Sequence, residues 1–173
     1  MWTTVRRCGR PPAGARFTAR VPGADYHGVM PESPAADEGF HPILRHIPAA
    51  EIDAETAQTA GMQRFAAISN AKAGSRRLWM GQTHVKAGMQ SGNHHHGEAE
   101  TAIYVVSGRP EFVFLDPDSG SEHRVIAEPG DYLFIPPYLP HREENNQPDA
   151  EAVVVIARST QEAIVVNLPS LRG

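Results

Sequence analysis

A chain of 173 residues with 40% hydrophobic and 21% charged residues has the length and composition of one globular domain able to bury its own core. No apolar run approaches the ~18 residues of a membrane span, and a single cysteine, Cys8, excludes an internal disulfide framework and fits a reducing, cytoplasmic setting. The net charge of −4 divides unevenly: residues 1–24 carry five arginines and no acid, while the rest holds 11 basic against 20 acidic residues. An acidic body argues against nucleic acid as partner, because a phosphate backbone is held by clustered cations.

The first 40 residues, rich in Arg, Pro and Gly, read as an irregular arm ahead of one domain over 41–173. The Arg-rich, acid-free start at 1–24 resembles an organelle transit peptide, but Pro and Gly spoil the amphipathic helix such a segment needs, and the apolar h-region of a secretory signal is not seen there. The stretch His46 to Gly61 is the best helix candidate, with Pro48 in its first turn, acids following and Gly61 as a stop. Beyond Met62 the texture changes to short β-type runs between turn residues. Strands are expected within 76–88, 101–108, 111–116, 123–131, 131–137, 151–159 and 162–168. The second and third of these flank Gly108-Arg109-Pro110 and read as neighbours, and Pro136-Pro137 ends the fifth. Many short strands with no long helix between them indicate an all-β antiparallel sandwich or barrel. Fifteen prolines and fifteen glycines supply the punctuation. Trp79, Phe112, Phe114 and Phe134 are expected in its core.

The chemistry concentrates in "GMQSGNHHHGEAETAIYVVSG", Gly88 to Gly108. On an extended chain His94 and His96 project to one side and His95 to the other. Two imidazoles on one face are half of a site for Zn, Fe, Ni or Mn, and an ion with bonds near 2.0–2.1 Å would hold its ligand nitrogens roughly 3 to 3.5 Å apart. Glu100 is a candidate carboxylate ligand and His141 a candidate third imidazole, presented where the strand before it is stopped by prolines. Histidines are more often solvated or core residues than ligands; His27, His41, His46 and His123 take that reading, with His84 a candidate neighbour of the site. Gln82, Tyr104, Arg109 and Tyr132 are candidate substrate contacts, and Asn145 is expected to bond backbone near His141.

This spacing resembles the two short motifs of the cupin superfamily, G-x5-H-x-H-x3-4-E-x6-G and G-x5-P-x-G-x2-H-x3-N. The first is met by Gly88, His94, His96, Glu100 and Gly108; the second by Gly130, Pro136, Tyr138 in place of glycine, His141 and Asn145. The two stand in the family's order, about twenty residues apart, and the resemblance spans roughly residues 76–168. It implies a small jelly-roll barrel (a double-stranded β-helix), often dimeric, with one divalent metal ion held by His94, His96, Glu100 and His141. One departure bears on the ligand set. Seven residues separate Glu100 from Gly108 where the family has six, so the longer form of the motif would put Thr101 at the carboxylate position. A bulge between Glu100 and Tyr104 would restore Glu100 to the interior face. The resemblance implies either a mononuclear metalloenzyme acting on a small oxygenated molecule (a dioxygenase, an isomerase or epimerase, or a lyase or decarboxylase) or a non-catalytic sensor or binding module that keeps the metal. No nucleic-acid or membrane partner is expected.

Overall fold

The computed structural model describes residues 43–54, 56, 61–116, 118–161 and 164–172. The arm at 1–40, with Cys8 and His27, lies outside the described residues, as does His41. All of the described residues fall in the unit Gly39–Gly173.

The helix expected over His46–Gly61 does not form among the described residues. Ala49–Glu51 make one 3-10 turn, closed by Glu51 N–H donating to the Pro48 carbonyl, and Ile52 returns to extended geometry. Asp53 then bridges Ala66 as a strand residue would. Small alanines offer a helix almost no apolar face to bury, so sheet pairing wins. The α-helix that does form, α1 (Asn70–Ala73), is a single turn started by the Ser69 side chain, which accepts from Lys72 N–H, and ended by Gly74 in the left-handed region.

Among the described residues, eleven strands are present: β1 (Met62–Ile68), β2 (Trp79–Val85), β3 (Met89–Gln90), β4 (His94–His95), β5 (Thr101–Ser107), β6 (Glu111–Leu115), β7 (Glu122–Ile126), β8 (Tyr132–Ile135), β9 (His141–Asn145), β10 (Ala152–Arg158) and β11 (Val166–Asn167). They make two antiparallel sheets. The first runs β1-β2-β10-β5-β8 and the second β11-β4-β9-β6-β7, with β3 also on β9. Strands of opposite halves of the sequence interleave, as in a jelly roll. Among the described residues, no helix is long and apolar enough to cross a membrane.

The expectation that 101–108 and 111–116 pair is overturned: β5 and β6 belong to different sheets. Gly108, with φ +81, turns the corner between them, and a Cβ there would stand 2.6 Å from Ala152 Cα. Strands β1 and β9 are not evident as strands in the sequence, and the HREEN of β9 is too polar to read as one.

Alternation sorts each strand. Ile103 and Val105 of β5, Val154 and Ile156 of β10, Phe112 of β6 and Ile135 of β8 form the main core with Ala127, and Trp79, Leu133 and Leu139 pack against it. Phe134, expected in the core, is 61% exposed because it is out of phase with Ile135. The outer face of the second sheet carries an ion-pair ladder in which Arg124 joins Glu111 to Glu144 and Arg142 joins Glu144 to Glu122. Val113, the register partner of both arginines, is buried beside them.

Candidate metal centre

His94 and His141 are direct partners in the β4–β9 pairing, and His96 follows two residues after His94 on the same side. All three are buried, at 3%, 2% and 1% exposure for His94, His96 and His141, and their ligand atoms lie within 4.8 Å of one another. Ring centroids are 4.4 Å apart for His94 and His141 and 4.9 Å for each of the other two pairs. His95 points away, accepts from Gly97 N–H through Nδ1, and sits 5.8 Å from the Tyr138 ring. Tyr138, where the family has glycine, keeps a left-handed backbone (φ 60), and its N–H donates to the Gly97 carbonyl.

Each of the three imidazoles is tied from behind by a carbonyl. His94 Nδ1 lies 2.9 Å from the Gly92 oxygen, His141 Nδ1 2.9 Å from that of Leu139, and His96 Nδ1 3.1 Å from that of Ile164. A carbonyl can only accept, so each Nδ1 carries the proton and each Nε2 presents a lone pair. Nε2 of His96 and of His141 are buried without any hydrogen-bond partner. Burial first, and then the charge of Arg158, push the His96 pKa down to about 2. Burial likewise lowers that of His141, against the raising effect of Glu143. Three clustered imidazoles, with unpartnered Nε2 atoms on His96 and His141, fit a divalent metal ion.

Glu100 is not part of this group. It is exposed at the mouth of β5, its backbone pairing with Ser159 through Glu100 N–H to Oγ and Ser159 N–H to the Glu100 carbonyl. Thr101 takes the interior position, 0% exposed, with an unpartnered Oγ1. The bulge that would have re-aimed Glu100 falls elsewhere. The β5–β10 register is continuous from Thr101 to Val105 and slips only at Val106, beyond the site.

The four candidate substrate contacts are not brought to the histidines. Tyr104 and Tyr132 lie with tilted rings 4.9 Å apart on the outer face of the first sheet, and Tyr132 is 80% exposed. Arg109 is exposed beside Glu128. Gln82 shares the outer face of β2 with His84, whose ring it contacts, and His84 meets Glu151 rather than the site. Asn145 bonds backbone as expected, donating to the carbonyls of Val85 and Ala150.

Residues not singled out from the sequence occupy the interior instead. Arg158 ends β10 in phase with Ala152, Val154 and Ile156; it is 5% exposed, and its guanidinium lies 5.8 Å from the Trp79 ring centroid. Glu143 is buried in phase with His141, and Thr83 is buried in phase with Val85. Strand phase was the available signal for all three.

Residues 81–157 match the family model described as "Cupin domain". Similar solved structures include a mutant of oxalate decarboxylase from Bacillus subtilis (TM-score 0.57, 17% identity, 66% of this chain and 30% of that chain covered). Recombinant oxalate oxidase in complex with glycolate matches at TM-score 0.56 and 20% identity over 68% of this chain and 60% of that one. The polyketide cyclase RemF from Streptomyces resistomycificus matches at TM-score 0.59 and 22% identity over 73% and 86%. This chain therefore spans about a third of the decarboxylase's length. No curated protein matches the sequence. At these identities the likeness establishes the fold.

Proposed function

We propose, from the match of residues 81–157 to the cupin domain model, that this protein is a mononuclear metalloenzyme acting on a small oxygenated molecule, with His94, His96 and His141 as the metal ligands. The observation that carries the reading is the set of three buried imidazoles, each with Nδ1 on a carbonyl and Nε2 turned to a common centre. Iron, manganese, zinc and nickel all accept such donors. The oxalate decarboxylase of the same fold is described with Mn(II) centres, which puts manganese first among them. When bound, a divalent ion would polarise a substrate oxygen or lower the pKa of a bound water. The chain's own residues hold the three rings in one tautomer, and the apolar wall of Ile103, Phe112 and Ile156 excludes bulk water. Oxygenase, isomerase and lyase chemistries are all open to a site with three protein donors.

The exposed apolar side chains on the outside of the first sheet (Tyr104, Val106, Tyr132 and Phe134) support self-association as a homodimer, and one cysteine in the whole chain supports a cytoplasmic setting.

The test is metal analysis of protein prepared without chelators, for wild type and His141→Ala, followed by oxygen-uptake and product assays on diols, enols and phenols. About one ion per chain, lost in the variant, together with turnover on one substrate class, is the expected result. An ion bound with no turnover on any class would return the protein to a binding or sensing role. No ion above trace in wild type would remove the metal-centre reading.

A further inference from the structure

The interior polar residues on the sheet facing the histidines are not explained by metal binding. We infer that the barrel interior is a receptor for a small organic carboxylate, held by Arg158 and Thr101 on the first sheet opposite the histidines on the second; as a substrate class, this rests on the metal reading above.

Arg158 and Thr101 are direct partners in the β10–β5 register, and both side chains point inward. Arg158 Nε and Thr101 Oγ1 are buried without hydrogen-bond partners. No carboxylate lies within ion-pairing distance of Arg158 among the described residues; its neighbour is the face of Trp79. A guanidinium keeps its charge at all ordinary pH, and a buried charge without a partner is unfavourable, so the site is poised for an anion. Burial lowers the pKa of Arg158, and the charge of Glu143 raises it.

Charge balance points the same way. Arg158 is a buried guanidinium with no ion-pair partner among the described residues, and a divalent ion would add further positive charge to the low-dielectric interior, which an anionic ligand offsets. A planar carboxylate matches the guanidinium fork, and a hydroxyl or oxo group beside it would face the histidines. The described interior has no lysine, and no helix N-terminus points into it, which disfavours phosphate.

The probes are lactate and lactamide, which have nearly the same shape and differ in charge, with inorganic phosphate as a third arm. Calorimetric titrations use metal-free and Co(II)-loaded protein. Wild type is expected to prefer lactate over lactamide by about tenfold or more in both forms, the lower end for charge-assisted hydrogen bonds. In the metal-free protein Arg158→Gln should erase that preference, and metal stoichiometry should stay unchanged. If Arg158→Gln does not fold, Arg158→Lys and Thr101→Val decide, each expected to weaken lactate more than lactamide. Equal binding of lactate and lactamide by wild type, an undiminished preference in a folded Arg158 variant, or Arg158-dependent phosphate binding tighter than lactate would each overturn the inference. Absence of metal uptake would defeat the metalloenzyme reading alone, since the metal-free titration still decides the role of Arg158.

Discussion

His94 and His141 face one another as register partners across β4 and β9, forty-seven residues apart in sequence and 4.4 Å between ring centroids. The pairing turns two separate motifs into one centre. A metal ion that binds the folded chain alone stabilises it by mass action, about 2.7 kcal/mol at a hundredfold excess over Kd. Thermal melts with added Mn(II) or Zn(II) should therefore shift upward, and chelator should reverse the shift. In His141→Ala the metal-dependent part should vanish; an equal shift in the variant would show the ion binding elsewhere.

Glu100 and Thr101 occupy opposite faces of adjacent positions, which makes them a matched pair of tests. Glu100→Gln should leave metal content unchanged and stability within about 0.5 kcal/mol, as for an exposed side chain. Thr101→Val replaces a fully buried hydroxyl that has no partner with a methyl of similar shape. Its denaturation midpoint should rise, by about 1 kcal/mol in stability, because a desolvation penalty is removed. Loss of metal in Glu100→Gln would restore the carboxylate to the ligand set.

The metal-free protein should be acid-sensitive well above the usual carboxylate range. The folded-state pKa of His96 is depressed from 6.5 to about 2, chiefly by burial, and that of His141 is lowered by the same cause. Between these limits the unfolded chain binds protons that the folded chain refuses, so the stability is fully present above about pH 6.5 and falls as pH drops toward 2. His96 alone should account for about 2 kcal/mol by pH 5. Glu144 opposes burial with hydrogen bonds from Arg124 and Arg142, which hold it down to about 2, and it adds a second loss below its ordinary 4.5. Urea melts at pH 8 and pH 5 measure the drop, and His96→Gln should flatten it; an unchanged slope in that variant would sink the assignment.

Two glycines of the first motif should differ sharply. Gly88 and Gly108 both have positive φ, at +67 and +81, but nothing lies within 4 Å of a Cβ built on Gly88. On Gly108 the Cβ meets the Ala152 backbone and the Glu151 carbonyl oxygen, at 2.6 and 2.7 Å. Gly88→Ala should cost about 1 kcal/mol from the left-handed backbone alone, and Gly108→Ala more than twice that, by urea denaturation. Equal costs would mean that the β5–β10 contact can move aside.

Ile103 lies at the centre of the main core, 1% exposed. Ile103→Ala should destabilise by about 2–5 kcal/mol, a transfer loss plus a cavity in a wall that cannot collapse. The outward neighbour Tyr104→Ala should cost far less, provided that the outer face is not an interface under the assay conditions. Chemical denaturation of both variants gives the contrast.

Much of the strand pattern was legible because β2, β5 and β10 alternate cleanly between a wet and a dry face. Strand β9 was not, since its HREEN sequence hides buried His141, Glu143 and Asn145 among charges that pair on the outer face. The short strand β11 likewise owes its pairing with β4 to position in the sheet, not to composition. The helix expected at His46–Gly61 failed for a related reason: caps and propensity are local, whereas the bridge from Asp53 to Ala66 is not.

The amino-acid sequence by itself determined the all-β class, the phase that makes His94 and His96 partners and sends His95 away, and His141 as the candidate third imidazole. The spacing from Glu100 to Gly108 posed the choice between Glu100 and Thr101 but could not make it, because a bulge anywhere in β5 satisfies the count. Only the tertiary structure put the slip at Val106, left Glu100 in solvent, and set Arg158 inward beside Thr101 on the first sheet. Side-chain phase is a property of one strand, whereas register and the meeting of two sheets are properties of pairs.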